Sequence, residues 1–218
     1  MAIKKGDFIT LDFTGTLTEE QTIFDTTKEE IAKQHNITTR NMSYEPITVC
    51  VGEGHLLAGL DKALEGRKEE ETFSITLAPE EAFGKKNAKN IKLMPKKVFE
   101  KQKIRVEPGL QVTIDDMPGT IKSVSGNRVI VDFNHQLAGH ELTYEIEIHK
   151  KITNTQEQVE KLAQILLQAP AKASVKEQEA TISFPVELPE QLQETLTKKI
   201  VELTKVTSVT YEVQKQNA

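Results

Sequence analysis

The chain has 218 residues and one cysteine, Cys50. With a single thiol no intramolecular disulfide can form, and no cysteine cluster can hold zinc. Cys50 sits in "ITVCVGEG", between valines at strand spacing, and reads as a small buried hydrophobe rather than a nucleophile. The N-terminus "MAIKKGDFITLDF" lacks the apolar core of a signal peptide. No apolar run approaches the roughly 18 residues of a membrane span. These absences point to a cytoplasmic protein with no membrane partner. Phosphate-binding glycine loops are also missing, since "GEGHLLAG" spells G-x-G-x-x-x-x-G and not the dinucleotide spacing. There is no G-x-S-x-G elbow and no H-E-x-x-H. The five histidines, His35, His55, His135, His140 and His149, are scattered. His135 and His140 are close in sequence but have no third ligand nearby, so they read as surface or loop residues. Neither a cofactor nor a metal is expected.

What is present is an ordinary globular composition. Charged residues make up 28% and the hydrophobic set 37%, enough for a packed core. The formal charge of −5 argues against nucleic acid as the main partner.

Along the chain the hydrophobic period changes several times. "DFITLDFTGTL" alternates Phe8, Thr10 and Asp12 with Ile9, Leu11 and Phe13, which predicts a strand broken at "TGT". "TTKEEIAKQHN" predicts a short helix capped by Thr26 or Thr27, with Glu29 or Glu30 completing a capping box. "ITVCVGEG" predicts a strand ending at Gly52 and Gly54. "LLAGLDKALEG" puts Leu56, Leu57, Leu60 and Leu64 on one helical face, with Gly66 as the stop. "ETFSITLAP" is a strand with Phe73, Ile75 and Leu77 on one side. From Gly84 to Arg105 nine Lys and Arg residues face one acid, Glu100. Turn signals beyond it space out three short strands, 110–114, 119–125 and 128–133, in a small β-rich unit. "LTYEIEIHKKI" is another alternating strand. After Thr153 the pattern becomes α-β-α-β. Its first helix has a capping box at Thr155 and Gln158, and its second has Leu192, Leu196, Ile200 and Leu203 on one face. Two strands and two helices leave a sheet edge open, which suggests a homodimer through 153–218.

The chemistry-bearing candidates are apolar residues beside glycine turns: Phe13, Phe24, Leu56, Leu57, Leu60, Phe83 and Tyr144. Taken singly, each reads as core. The acid in "IFDTT", Asp25, has three open roles: catalytic carboxylate, metal ligand or turn opener. No partner acid or base is placed for proton transfer and no ligand set accompanies it. A turn carboxylate that caps "TTKEE" remains a standing reading.

Taken together, "LDFTGTL", "TIFDTT", "ITVCVGEGHLLAGLDKALEG", "APEEAFG" and "NHQLAGHELTYEIEIHKK" occur in an order that resembles the FK506-binding protein family of peptidyl-prolyl isomerases. The split between "AFG" and "NHQLAG" is similar to the SlyD-type and archaeal members, in which a chaperone domain is inserted in the flap. The resemblance covers residues 1 to about 150. The tail is similar, more loosely, to the extra domain of long archaeal members. It implies an α+β fold, a half-open antiparallel sheet wrapped on one helix. The isomerase domain would be 1–85 plus 135–152, the inserted chaperone domain 86–134, and the C-terminal α-β-α-β domain 153–218. The implied site is an apolar cup of Phe13, Phe24, Asp25, Leu56, Leu57, Leu60, Phe83, Leu137 and Tyr144, with His135 near its rim. Asp25 would line that cup beside Phe24 rather than transfer a proton.

Two positions depart from the common family pattern. Leu60 stands where many members carry an indole, and Phe83 where many carry a tyrosine. Losing that hydroxyl implies weaker macrolide binding, by about 1 kcal/mol for one neutral hydrogen bond. The implied partners are unfolded or proline-containing polypeptides, with client contacts from Ile91, Leu93, Met94, Val98 and Phe99. The bland reading of those five is the insert's own core. Two rival readings stand beside the isomerase: a holdase with a weak or dead cup, and a ribosome- or nucleic-acid-associated module using the basic 84–105 stretch. The second lacks a stacking-aromatic motif.

Overall fold

The structure is a computed structural model that describes residues 2–37 and 44–214. The chain divides into two compact units, Met1–Thr76 with Thr143–Ala218, and Leu77–Leu142.

The first unit is built on a five-stranded sheet ordered β2-β1-β9-β4, with β3 also paired to β1. The strands are β1 (Phe8–Leu17), β2 (Thr22–Thr26), β3 (Ile47–Cys50), β4 (Thr72–Leu77) and β9 (Leu142–Ile152). β2 and β3 meet β1 end to end along one edge, both antiparallel. β3 takes the first half, from Phe8 opposite Cys50 to Leu11 opposite Ile47. β2 takes the second half, from Thr14 opposite Thr26 to Leu17 opposite Thr22. Between β2 and β3 the chain leaves the edge to form the short helix α1 (Glu29–Gln34). Helix α2 (Ala58–Leu64) buries Gly59, Leu60, Asp61 and Leu64.

Two local expectations need correction here. "TGT" does not break β1. The strand runs through Gly15 with a bulge at Gly15 and Thr16, because pairing to β2 continues past the glycine. Thr26 and Thr27 do not form a capping box with Glu29 or Glu30. The N-cap of α1 is Lys28, with no side-chain cap. The threonines serve the sheet instead: Thr27 Oγ1 donates to Asp12 Oδ1 at 2.5 Å and accepts from Phe13 N–H at 3.0 Å. Thr26 and Thr14 hydroxyls meet at 2.9 Å.

The rest of the first unit is helix α4 (Thr155–Leu167), strands β10 (Lys172–Lys176) and β11 (Glu179–Phe184), helix α5 (Glu190–Leu203) and strand β12 (Ser208–Val213). The expected α-β-α-β order lacked β10; "KASVK" is polar enough to hide its period. The sheet order is β10-β11-β12, antiparallel and then parallel. The cap of α4 is Asn154, not Thr155: its side chain accepts from Glu157 N–H at 3.0 Å. Gln158 reaches back to the Ile152 carbonyl at 2.8 Å. Of the expected α5 face, Leu196 and Ile200 are buried and Leu192 is exposed. One continuous core holds Val159, Leu162, Ile182, Phe184 and Ile200 of this region together with Phe8, Cys50 and Ile152 of the larger sheet. Phe8 alternates with Ile9 along β1, so it serves the opposite face from Ile9 and Leu11.

The second unit is a four-stranded sheet ordered β5-β8-β7-β6, with β5 (Ile91–Pro95), β6 (Gln111–Ile114), β7 (Met117–Ser125) and β8 (Arg128–Asp132). Helix α3 (Lys96–Lys101) follows β5. Both elements lie in the lysine-rich stretch, where charge masked the apolar period. Phe99, Val112, Ile114, Ile121, Val129 and Val131 form the core. Asn134 ties the two ends of the insert: Asn87 N–H donates to its Oδ1 at 2.8 Å, and its Nδ2 donates to the Asn87 carbonyl at 3.1 Å.

Candidate functional site

In the first unit Phe13, Phe24 and Tyr144 come from three neighbouring strands. The ring of Tyr144 lies 6.0 Å from Phe13 and 5.8 Å from Phe24, the latter edge-on at 86°. Such tilted and T-shaped pairs suit the charge distribution of aromatic rings. Gly15 makes this meeting possible. A Cβ there would stand 2.7 Å from Phe24 Cζ and 3.0 Å from Tyr144 Cε1. The side chain of Tyr144 is buried, while Phe13 and Phe24 are half-buried and leave part of each ring open.

Asp25 follows Phe24 in β2, opposite Gly15. It therefore sits in a strand beside the aromatic set and does not open α1. Burial pushes its carboxyl above the ordinary 3.8, against the Thr26 backbone hydrogen bond, which favours the ionised form. Burial, with the Asp25 charge second, pushes the Tyr144 hydroxyl above its ordinary 10.0. The phenol stays protonated and can donate.

The helical side of the site comes from the loop before α2. Leu56 and Leu57 are half-buried, Leu60 and Leu64 buried. Four polar contacts shape that loop. Asp61, in the first turn of α2, accepts Gly52 N–H at 2.8 Å through Oδ1 and Gly54 N–H at 3.0 Å through Oδ2. His55 Nδ1 accepts the Cys50 N–H at 3.1 Å. Burial, the largest influence, lowers the His55 pKa from 6.5 against the nearby charges of Asp61 and Glu53. Glu53 pairs with Lys199 of α5 at 2.8 Å. Gly15, Asp61, His55 and Glu53 were not among the sequence candidates. Asp61 could have been suspected from its place in the first turn after a glycine-rich loop, where an acid meets unpaired N–H groups. For Gly15 the sequence carries no signal beyond its strand position.

The remaining cup candidates lie in the second unit. Phe83 stacks on His135 with ring centres 4.3 Å apart and planes 1° from parallel. Leu137 is half-buried, and its N–H donates to His135 Nδ1 at 3.2 Å. The expected client contacts of the insert separate into two kinds. Ile91 and Leu93 are 44% and 61% exposed. Ile130, opposite Leu93 on β8, extends that exposed face and was not expected. Met94 and Val98 pack against the insert's core. Phe99 is corrected outright: fully buried at the centre of that core, its ring cannot contact a client in this structure.

Among the described residues no group of three or more His, Cys, Asp or Glu could hold a metal ion. No described helix is long and apolar enough to cross a membrane. The Cys50 thiol is buried, its pKa pushed up to about 12 chiefly by that burial.

Residues 1–100 match the family model described as FKBP-type peptidyl-prolyl cis-trans isomerase, and residues 92–137 match that of the FKBP26, IF domain. The short-type peptidyl-prolyl cis-trans isomerase of Methanocaldococcus jannaschii is 34% identical over 146 residues, 67% of this chain and 92% of that protein. A probable FKBP-type 16 kDa peptidyl-prolyl cis-trans isomerase of Pseudomonas fluorescens is 38% identical over 108 residues, 47% of this chain and 71% of that protein. The SlyD isomerase of Vibrio cholerae is 35% identical over 107 residues, 47% of this chain and 53% of that protein. This chain belongs to the FKBP-type peptidyl-prolyl cis-trans isomerase family.

Proposed function

We propose that this isomerase binds the twisted X–Pro amide in an apolar cup built on Phe13, Phe24, Tyr144, Leu56, Leu57 and Leu60, with Asp25 as a polar wall. Rotation about X–Pro faces a barrier of about 18–20 kcal/mol because amide resonance must be broken. No covalent bond forms or breaks, so catalysis consists of binding the twisted form better than either planar one. The twisted amide has lost resonance, and its carbonyl oxygen carries less negative charge. A dry site costs it less than it costs the polar planar amide. The backbone N–H of Leu57, just ahead of α2, would hold the neighbouring carbonyl and fix the geometry. Asp25 orients polar groups and takes no proton.

The observation that carries this reading is the Phe13–Tyr144–Phe24 set, two of whose rings remain partly open. The test is isomerisation of a short X–Pro peptide. Phe24→Ala is expected to lower kcat/KM by more than tenfold, on the order of the 1.4 kcal/mol that one decade requires. Asp25→Ala is expected to lower it by only about threefold. A larger loss in Asp25→Ala than in Phe24→Ala would sink the dry-cup mechanism.

The insert supports client capture. Leu93, Ile91 and Ile130 put exposed apolar area on one face of its sheet, and a second weak contact raises the local concentration of a client proline at the cup. Leu93→Ser is expected to slow catalysed refolding of a protein substrate while leaving short-peptide turnover unchanged. Equal losses on both substrates would remove the capture role.

A further inference from the structure

The loop that carries Leu56 and Leu57 is held from two sides. On its inner side Asp61 takes the N–H groups of Gly52 and Gly54 with its two carboxylate oxygens. Both glycines adopt left-handed backbone, φ +85° and +70°, so the loop folds back sharply around the residue between them. That residue is Glu53. Its carboxylate meets Lys199 Nζ at 2.8 Å, with 15% of its side chain exposed. Lys199 belongs to α5, more than 140 residues further along the chain by its separation of 146. A weaker, exposed contact ties Lys199 to Glu202 at 3.4 Å.

Two carboxylates, Glu53 on the loop and Asp61 in the first turn of α2, therefore flank one short segment. The Lys5 stem lies against Gly52, where a Cβ would come within 2.5 Å of its Cγ. His55 is held as an acceptor and stays neutral. Of the described groups, Lys199 is the cation in ion-pair contact with the loop's Glu53. Removing it would strand a largely buried carboxylate near a second one. Such a group moves to water if it can. The path open to Glu53 is to swing the Gly52–Gly54 segment outward and loosen the Asp61 hydrogen bonds. Leu56 and Leu57 follow that segment after His55.

We propose that Lys199 is a positioning residue for the isomerase site, and that its ion pair with Glu53 makes the C-terminal region the outer brace of the loop carrying Leu56 and Leu57. The inference rests on the reading of those two leucines as part of the proline seat. The shared core agrees with it. Cys50, whose N–H binds His55 at the start of the loop, packs among residues of α4, β11 and α5. The C-terminal region is thus part of the support of the site.

The test uses the full-length chain with Lys199→Gln, Glu53→Gln and the exchanged pair E53K/K199E. kcat and KM for a short X–Pro peptide are measured together with amide hydrogen exchange at Gly54 and Leu57. Each single variant is expected to lower kcat about threefold, the scale of one partly buried ion pair, and to speed exchange at both amides. The exchanged pair is expected to recover most of both. An unchanged kcat in a folded single variant overturns the proposal, as does a loss that the exchanged pair fails to recover. Leu56→Ala and Leu57→Ala in the same assay separate the two readings. If they lower kcat and Lys199→Gln does not, the brace alone falls. If they leave kcat intact, the seat falls and the brace with it.

Discussion

At the residue scale the meeting of Phe24 and Tyr144 depends on a missing atom. Gly15 has no Cβ, and Phe24 and Tyr144 fill the space one would occupy. A Gly15→Ala side chain must push the Phe24 ring aside, since 2.7 Å to Cζ is below any real Cβ contact. Overpacking of this kind costs about 1–3 kcal/mol. The expected outcome is a lower thermal midpoint and a loss in kcat/KM on the order of tenfold. Wild-type activity in a folded Gly15→Ala protein would show that Phe24 is not held where the site needs it. The aromatic set that the structure brings together was partly legible in the sequence. The apolar partners Phe13, Phe24, Tyr144, Leu56 and Leu57 stood out by their order, and Asp25 by its apolar neighbours. Gly15 did not, because "TGT" reads as a strand end. Only the approach of two rings across three strands gives that glycine its meaning.

At the element scale the informative piece is the loop between β3 and α2. His55 Nδ1 must be unprotonated to accept the Cys50 N–H. Its folded pKa lies below the ordinary 6.5. Below that ordinary value the unfolded chain binds the proton more readily than the folded one, so stability falls as pH drops from 6.5 toward the lowered value. Above 6.5 the imidazole is neutral in both states and contributes no slope. Denaturant unfolding at pH 5 and pH 8 is expected to show this loss, and His55→Gln to flatten it. An identical pH slope in wild type and variant would contradict the role given to His55. Element type was readable wherever the apolar period was clean, as in β1, β9 and α4. It was hidden in β5 and α3, where lysines interrupt the pattern, and in β10. Caps were misread for a local reason. Thr26, Thr27 and Thr155 had the right chemistry at the right spacing, but Thr26 and Thr27 bond to β1, and Asn154 precedes Thr155 as a stronger cap.

At the scale of the whole molecule, the chain combines a small isomerase sheet, an insert with its own core, and a C-terminal region that shares a core with the sheet. The order of the motifs made the insert legible, because "AFG" and "NHQLAG" interrupt one pattern and resume it. The shared core was not legible. Phe8 and Cys50 face away from the site, and nothing in their local sequence says that α4 and α5 will cover them. Asp12, on the same side of β1 as Phe8, is likewise engaged across the sheet, by His149 Nε2 at 2.8 Å. In the proposed function this molecule lowers the barrier to X–Pro rotation by enclosing the amide in a dry cup. The most direct measurement is the refolding of a protein whose slow phase is X–Pro isomerisation, normally tens to hundreds of seconds. At a small molar fraction of this chain the slow phase is expected to accelerate in proportion to its concentration, and Phe24→Ala to lose most of that acceleration. A slow phase whose rate is unchanged at any catalytic concentration would rule out the dry cup as a working isomerase site.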